Sequence, residues 1–208
     1  NPAFNYIGVD IKGARLWKGA KYAEEHGLDN VAFLRTRIEF IESLFAPGEV
    51  SEIWITFADP QIGREKKRLT APLFMSRYRN FLKPGGIIHL KTDSRYLHEY
   101  SRAMAEQNGL HILAAATDIY GADRERLYES EFSSICGPAA VDALFEVQTF
   151  YESQYLAQGF QITYLAFMPD HEGDYISPEW AEDTWKDENH HFVVPSGLHV
   201  ASKFYPEA

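Results

Sequence analysis

The chain has 208 residues, 45% of them hydrophobic and 24% charged, which bounds it to one globular domain of ordinary size with a real core. Its apolar runs, such as residues 86–90 and 162–168, are far shorter than a bilayer span, and its single cysteine, Cys136, excludes an internal disulfide. That cysteine usage fits a reducing compartment, the cytosol by default, and no membrane partner is expected. The formal charge of −10 speaks against a nucleic-acid partner, yet residues 170–190 hold eight acids against Lys186 alone, so most of the excess is local.

Tyr6 to Asp10 is a short apolar run ending in an acid and reads as a strand. A helix over Lys12 to His26 follows, with Ala14, Leu16, Trp17, Ala20 and Ala23 as its apolar set. Val31 to Leu34 is a second strand, Ile38 to Phe45 a short helix, Ile53 to Phe57 a third strand, and Asp59 to Lys67 a polar loop. A helix from about Ala71 to Leu82 is expected to stop at Lys83-Pro84-Gly85-Gly86, a turn that no helix continues through. Ile87 to Leu90 is the next strand, Ser94 to Asn108 a helix, and Ile112 to Ala115 another strand. Such alternation predicts an α/β fold of parallel strands joined by crossover helices. Beyond Gly121 a charged, irregular stretch leads to a helix over Val141 to Gln158 and a last strand, Phe160 to Phe167. The tail from Pro169 carries Trp180 and Trp185 without clear periodicity.

In doubly wound nucleotide-binding sheets, an acid at the end of the second strand accepts hydrogen bonds from ribose hydroxyls. Asp10 fits that place, so a strand and a glycine-rich turn are expected roughly 20 residues earlier, and the chain is expected to begin inside its domain. Ile55-Thr56-Phe57-Ala58-Asp59-Pro60-Gln61 is a strand whose carboxyl end delivers an aspartate locked by a proline. A basic run, Arg64-Glu65-Lys66-Lys67-Arg68-Leu69-Thr70, comes next. Leu90-Lys91-Thr92-Asp93 ends the following strand in a second aspartate, and Thr149-Phe150-Tyr151-Glu152 opens a helical stretch before the last strand.

In order and spacing this series resembles the tRNA (guanine-N7) methyltransferase family over Asn5 to about Phe167. The resemblance implies a Rossmann-like, class I S-adenosylmethionine-dependent methyltransferase fold over residues 1–168. Its sheet would be mainly parallel with one antiparallel strand near the end, and residues 169–208 an acidic extension packed on the domain or trailing from it. It also implies S-adenosylmethionine as cofactor, with Asp10, Ile11, Arg37, Ile38 and Asp59 around it. Asp59 would be the catalytic carboxylate between cofactor and guanine. Arg64, Asp93, Thr149, Tyr151 and Glu152 would meet the guanosine, and Lys66, Lys67 and Arg68 would lie on tRNA phosphates. The chain departs from the family pattern at Arg37, where an acid is usual, at Gln61, where an aromatic is usual, and at Gly63 in place of a lysine. Residues 120–143 are longer and more charged than the pattern.

Guanine N7 carries an exposed lone pair, so its methylation needs alignment more than a base. The purine gains positive charge as the bond forms, and carboxylates can favour that charge while accepting from the guanine N1–H and amino group. The histidines, among them His89, His190 and His191, lack metal-ligand spacing, and no metal is expected. Two other functions stay open on the sequence: a methyltransferase of the same fold acting on a small molecule, and a tRNA-binding protein without catalysis. The oligomeric state, monomer or homodimer, is not legible.

Overall fold

The computed structural model describes residues 3–179. Two parallel strands, β1 (Tyr6–Asp10) and β2 (Val31–Arg35), are joined by helix α1 (Gly13–Glu25). Phe33 of β2 fits between Gly8 and Gly19 because neither carries a side chain: a Cβ there would lie 2.8 or 2.6 Å from its ring. A 3₁₀ turn over Ile38–Ser43 leads to β3 (Val50–Thr56), α2 (Pro72–Arg79), β4 (Leu82–Thr92), α3 (Arg95–Gln107) and β5 (His111–Ala116). Four helices follow, α4 (Arg124–Tyr128), α5 (Glu131–Cys136), α6 (Pro138–Glu146) and α7 (Phe150–Ala157), before β6 (Thr163–Met168).

The second sheet has the order β3-β4-β6-β5. β3 and β4 are parallel, whereas β6 runs antiparallel between β4 and β5. Side chains alternate across it with the period of two that a strand imposes. Ile88, Leu90, Leu165 and Phe167 point to one core, shared with Phe74, Met75 and Tyr78 of α2 and Leu97, Tyr100 and Met104 of α3. Ile87, Tyr164 and Ala166 point to the other, shared with Leu127, Phe132, Val141 and Leu144 of α4, α5 and α6. The sheet is thus the middle of three layers. Val9 of β1 packs on the first core. β1 pairs only with β2 and β3 only with β4, so among the described residues each keeps one free edge.

Four local expectations are corrected. The helix before Lys83 ends at Arg79, and β4 begins at Leu82. Residues 83–86 form a bulge within β4, because Leu82 pairs with Val50 while Ile87 pairs with Glu52. The helix expected over residues 141–158 is broken into α6 and α7: Thr149 and Glu152 form a capping box that starts a new helix. The α1 apolar set does not form a buried face either, since only Ala23 is buried and Trp17 is 63% exposed. The charged stretch after Gly121 is α4, α5 and α6, whose Leu127, Phe132 and Val141 close the second core.

The start of the tail is docked on the domain. Asn108 exchanges two hydrogen bonds of 2.8 Å with the backbone of Ile176, Arg79 donates to the carbonyls of His171 and Gly173, and Asp170 accepts from the Gly85 amide. Residues 180–208 lie outside the described residues, and with them the remainder of the expected extension.

Candidate functional site

In an open α/β sheet the carboxyl ends of the parallel strands form the ligand-binding edge, because chain reversals there leave loops and helix N-termini facing one crevice. β1 ends there in Asp10. Its Oδ1 accepts the Lys12 amide at 2.8 Å and its Oδ2 the Arg15 guanidinium at 3.3 Å. Arg15 also donates to the Tyr151 hydroxyl at 3.3 Å and lies 5.5 Å from the centre of its ring. One cation thereby ties the end of β1 to the first turn of α7. Ile11 is exposed, and Ile38 is half-buried against the first core. Arg37 is exposed and paired with Glu39 at 3.1 Å, which returns a carboxylate to the neighbourhood of the unusual arginine.

β3 leads into Asp59 through an unfavourable backbone. Among the described residues, Phe57 and Gln61 are the two non-glycine residues with positive φ, at 49° and 53°, and they bracket Ala58-Asp59-Pro60. Each such residue costs on the order of 1–3 kcal/mol and persists only where its surroundings over-determine it. Two contacts do so. The Gln61 amide donates to Asp59 Oδ1 at 2.9 Å, leaving the carboxylate exposed but oriented. Arg68 donates Nε–H to the Pro60 carbonyl at 3.0 Å and Nη2–H to the Gln61 carbonyl at 3.1 Å. Its guanidinium also donates to the Tyr96 hydroxyl and lies 4.8 and 3.9 Å from the centres of the Tyr96 and Tyr100 rings.

The basic run therefore does not act as one surface. Arg64, Lys66 and Lys67 are exposed, but Arg68 has no exposed surface. Arg68, expected on tRNA phosphates, has its head enclosed by two aromatic rings and two carbonyls. A desolvated cation over such rings gains about 2 kcal/mol, which offsets part of the cost of burying it. Tyr100 in turn donates to Glu65 at 2.5 Å, and burial together with that carboxylate raises its pKa.

β4 ends in Lys91-Thr92 and Asp93 follows directly, with Ser94 capping α3 by accepting the Leu97 amide. Burial pushes the Tyr155 phenol up to about 12, and the Asp93 charge adds to the shift. The Tyr155 ring stacks on Phe57, centres 6.0 Å apart. Asp93, α7 and the entrance to the Asp59 loop therefore adjoin one another. Thr149 accepts the Glu152 amide, and Glu152 accepts the Thr149 amide. Glu152 is wholly buried, and its Oε1 also takes Lys91 Nζ at 2.6 Å and the Tyr120 hydroxyl at 2.7 Å. Lys91 completes its bonds on the carbonyls of Leu144 and Val147, at the end of α6. Burial lowers the Lys91 pKa against the raising effect of Glu152. In this structure Glu152 fixes the first turn of α7, while the Tyr151 side chain is exposed.

The sequence reading overlooked Arg15, Lys91, Tyr96, Tyr100 and Tyr120. A signal existed for Lys91, which stands inside the Lys-Thr-Asp motif; the others depend on tertiary contacts. His89 is interior, stacked on Trp54 with ring centres 4.0 Å apart. His190 and His191 lie outside the described residues. Among the described residues no group of three or more His, Cys, Asp or Glu is placed to share a metal ion, and no helix is long and apolar enough to cross a membrane.

A family model described as "Putative methyltransferase" matches residues 1–130. The tRNA (guanine-N(7)-)-methyltransferase of Christiangramia forsetii is 53% identical over 169 residues, covering 80% of this chain and 69% of that protein. The chain belongs to the tRNA (guanine-N7) methyltransferase family. Its relative of that name in Bacteroides fragilis is 46% identical over 86% of the chain and 64% of that protein, and the one in Bacillus subtilis is 31% identical over 66% and 68%. The chain thus spans about two thirds of the length of these relatives. Family membership and strand pairing together give the fold class: α/β, of the class I methyltransferase type, with antiparallel β6 inserted between β4 and β5.

Proposed function

We propose that this chain forms the larger part of an enzyme that moves a methyl group from S-adenosylmethionine to N7 of a guanine in the variable loop of tRNA. The observation that carries this reading is that α7 links the strand ends, Tyr151 being tied to Asp10 through Arg15 and Tyr155 stacking on Phe57 just before the Asp59 loop, in a chain of this family. The donor set suits the cofactor. Asp10 has two protein donors, and a carboxylate offers about four lone-pair positions, so acceptor sites remain for a ribose diol. Ile11, Arg37 and Ile38 border the same strand ends. When bound, the sulfonium supplies an electrophilic methyl group, and no protein base is needed.

The chain's own residues then have the tasks of orientation and charge. Asp59, held by the Gln61 amide, faces the developing positive charge of the purine. Asp93 accepts from the guanine N1–H and amino edge, with Thr149 and Tyr151 flanking it and Glu152 holding their turn. Arg64 is left for the guanosine, and the exposed Lys66 and Lys67 take tRNA phosphates. The cytosol, where tRNA is modified, is the compartment this reading assigns. The test is methyl incorporation by the full-length protein, with tRNA offered beside small nucleophiles and the product mapped by cleavage at N7-methylguanine. Label at a variable-loop guanine is expected; label only in small molecules, or none, would contradict it.

A further inference from the structure

We propose that Arg68 is a positioning residue for methyl transfer, holding the Asp59 loop against α3, and not an RNA contact. The inference rests on the reading above. Three observations carry it. Arg68 is wholly buried although it ends a basic run, so its charge is committed internally. Its donors reach two successive carbonyls, Pro60 and Gln61, in the loop bracketed by the positive φ of Phe57 and Gln61. Its other partners, Tyr96 and Tyr100, stand one turn apart on α3, whose N-cap Ser94 directly follows Asp93. One guanidinium thereby couples the loop that presents Asp59 to the helix that begins behind Asp93.

The chemistry requires arginine there. A planar fork can donate to two carbonyls while stacking between two rings, whereas an ammonium reaches as a point charge and cannot stack. Without the fork one of the two contacts that hold Phe57 and Gln61 away from ordinary backbone is lost, and the Asp59 carboxylate moves relative to Asp93. A displacement near 1 Å at a reacting site can cost about 10²-fold in rate.

Arg68→Lys and the pair Lys66→Ala/Lys67→Ala, each in the full-length protein, separate positioning from RNA contact. Three quantities are read: the single-turnover rate constant at saturating tRNA, its amplitude, and the slope of log tRNA affinity against log salt. Arg68→Lys should lower the rate constant at least about tenfold while leaving the salt slope unchanged. The lysine pair, by contrast, should lower the slope. A slope reduced by about one unit in Arg68→Lys would make Arg68 a phosphate contact and overturn the inference. So would a normal rate constant with reduced amplitude, the mark of a role in folding alone. Should Arg68→Lys fail to fold, Tyr96→Phe keeps the ring and removes one hydrogen-bond partner of Arg68; an unchanged rate constant there overturns the inference equally. If the wild-type protein methylates no tRNA, the proposed function falls, and Arg68 is judged by hydrogen exchange of the Gln61 amide bound to Asp59. That exchange should quicken at least about tenfold in Arg68→Lys, and unchanged exchange refutes the hold on the loop.

Discussion

Removing Lys91 and Glu152 together should destabilise the protein by much less than the sum of removing each alone. Lys91 Nζ stands 2.6 Å from Glu152 Oε1, and the two side chains are 5% and 0% exposed. Every group nearby is already paired: Tyr120 and the Thr149 amide on the carboxylate, the Leu144 and Val147 carbonyls on the ammonium. Glu152→Gln keeps the shape but leaves a buried ammonium facing a neutral amide, a loss of about 3–5 kcal/mol. At roughly 2–4 °C per kcal/mol for a domain of this size, the melting temperature should fall by about 6–20 °C. Lys91→Met should cost a similar amount. The double variant leaves no uncompensated charge, so its loss should be smaller than the sum by about 2 kcal/mol or more. Urea unfolding of the four proteins of the cycle at pH 7.5 measures this. The same cycle on Arg102 and Glu106, an exposed pair at 2.8 Å with side chains 46% and 53% exposed, should give no more than about 0.5 kcal/mol. A coupling for Lys91 and Glu152 as small as that of the surface pair would refute the reasoning.

Three further outcomes are expected. Burial holds the His98 pKa down to about 4, with smaller effects from Glu99, Arg95, Arg102 and Asp123, against 6.5 when unfolded. Below that value the unfolded chain takes up a proton that the folded one refuses, so stability is full above pH 7 and has lost about 1.4 kcal/mol through this group at pH 5.5; His98→Leu should remove that slope, and an equally steep acid limb would contradict it. Lys66→Ala/Lys67→Ala should lower the salt slope of tRNA binding by about 1.8 units, near 0.9 for each exposed contact, and an unchanged slope would place the RNA elsewhere. In a protein extended upstream of Asn1, outer-edge amides of β1 and β3 should exchange at least about tenfold more slowly than in the chain of 208 residues, and equal exchange would show that neither edge is filled.

The alternating order of strands and helices was legible because each strand is a short apolar run ending at a polar turn, as at Asp10 and Asp59. The antiparallel strand near the end was legible from the resemblance, not from periodicity. Residues 83–86 misled because a proline and two glycines mark a turn in sequence, and only pairing with β3 reveals a bulge within β4. The break between α6 and α7 was written in the sequence as Thr149-x-x-Glu152, a capping box that opens a helical stretch although one helix was expected to run through it over residues 141–158. Among the site residues, Asp10, Asp59 and Asp93 announce themselves at strand ends. Arg68 could not, because a basic run looks solvated until Tyr96 and Tyr100, 28 and 32 positions away in the chain, are folded over it.

The central claim is that Asp59, presented by its strained loop, acts on the charge that guanine gains as its N7 is methylated. Asp59→Asn retains the shape and an acceptor for the Gln61 amide while removing the charge. Single-turnover formation of N7-methylguanine in tRNA by the full-length protein, wild type against Asp59→Asn, tests the claim most directly. The account predicts a rate constant about 10²-fold lower with tRNA affinity and melting temperature near those of the wild type. A rate constant within about twofold of the wild type, under 0.5 kcal/mol of barrier, would contradict it and leave the loop with a backbone role only.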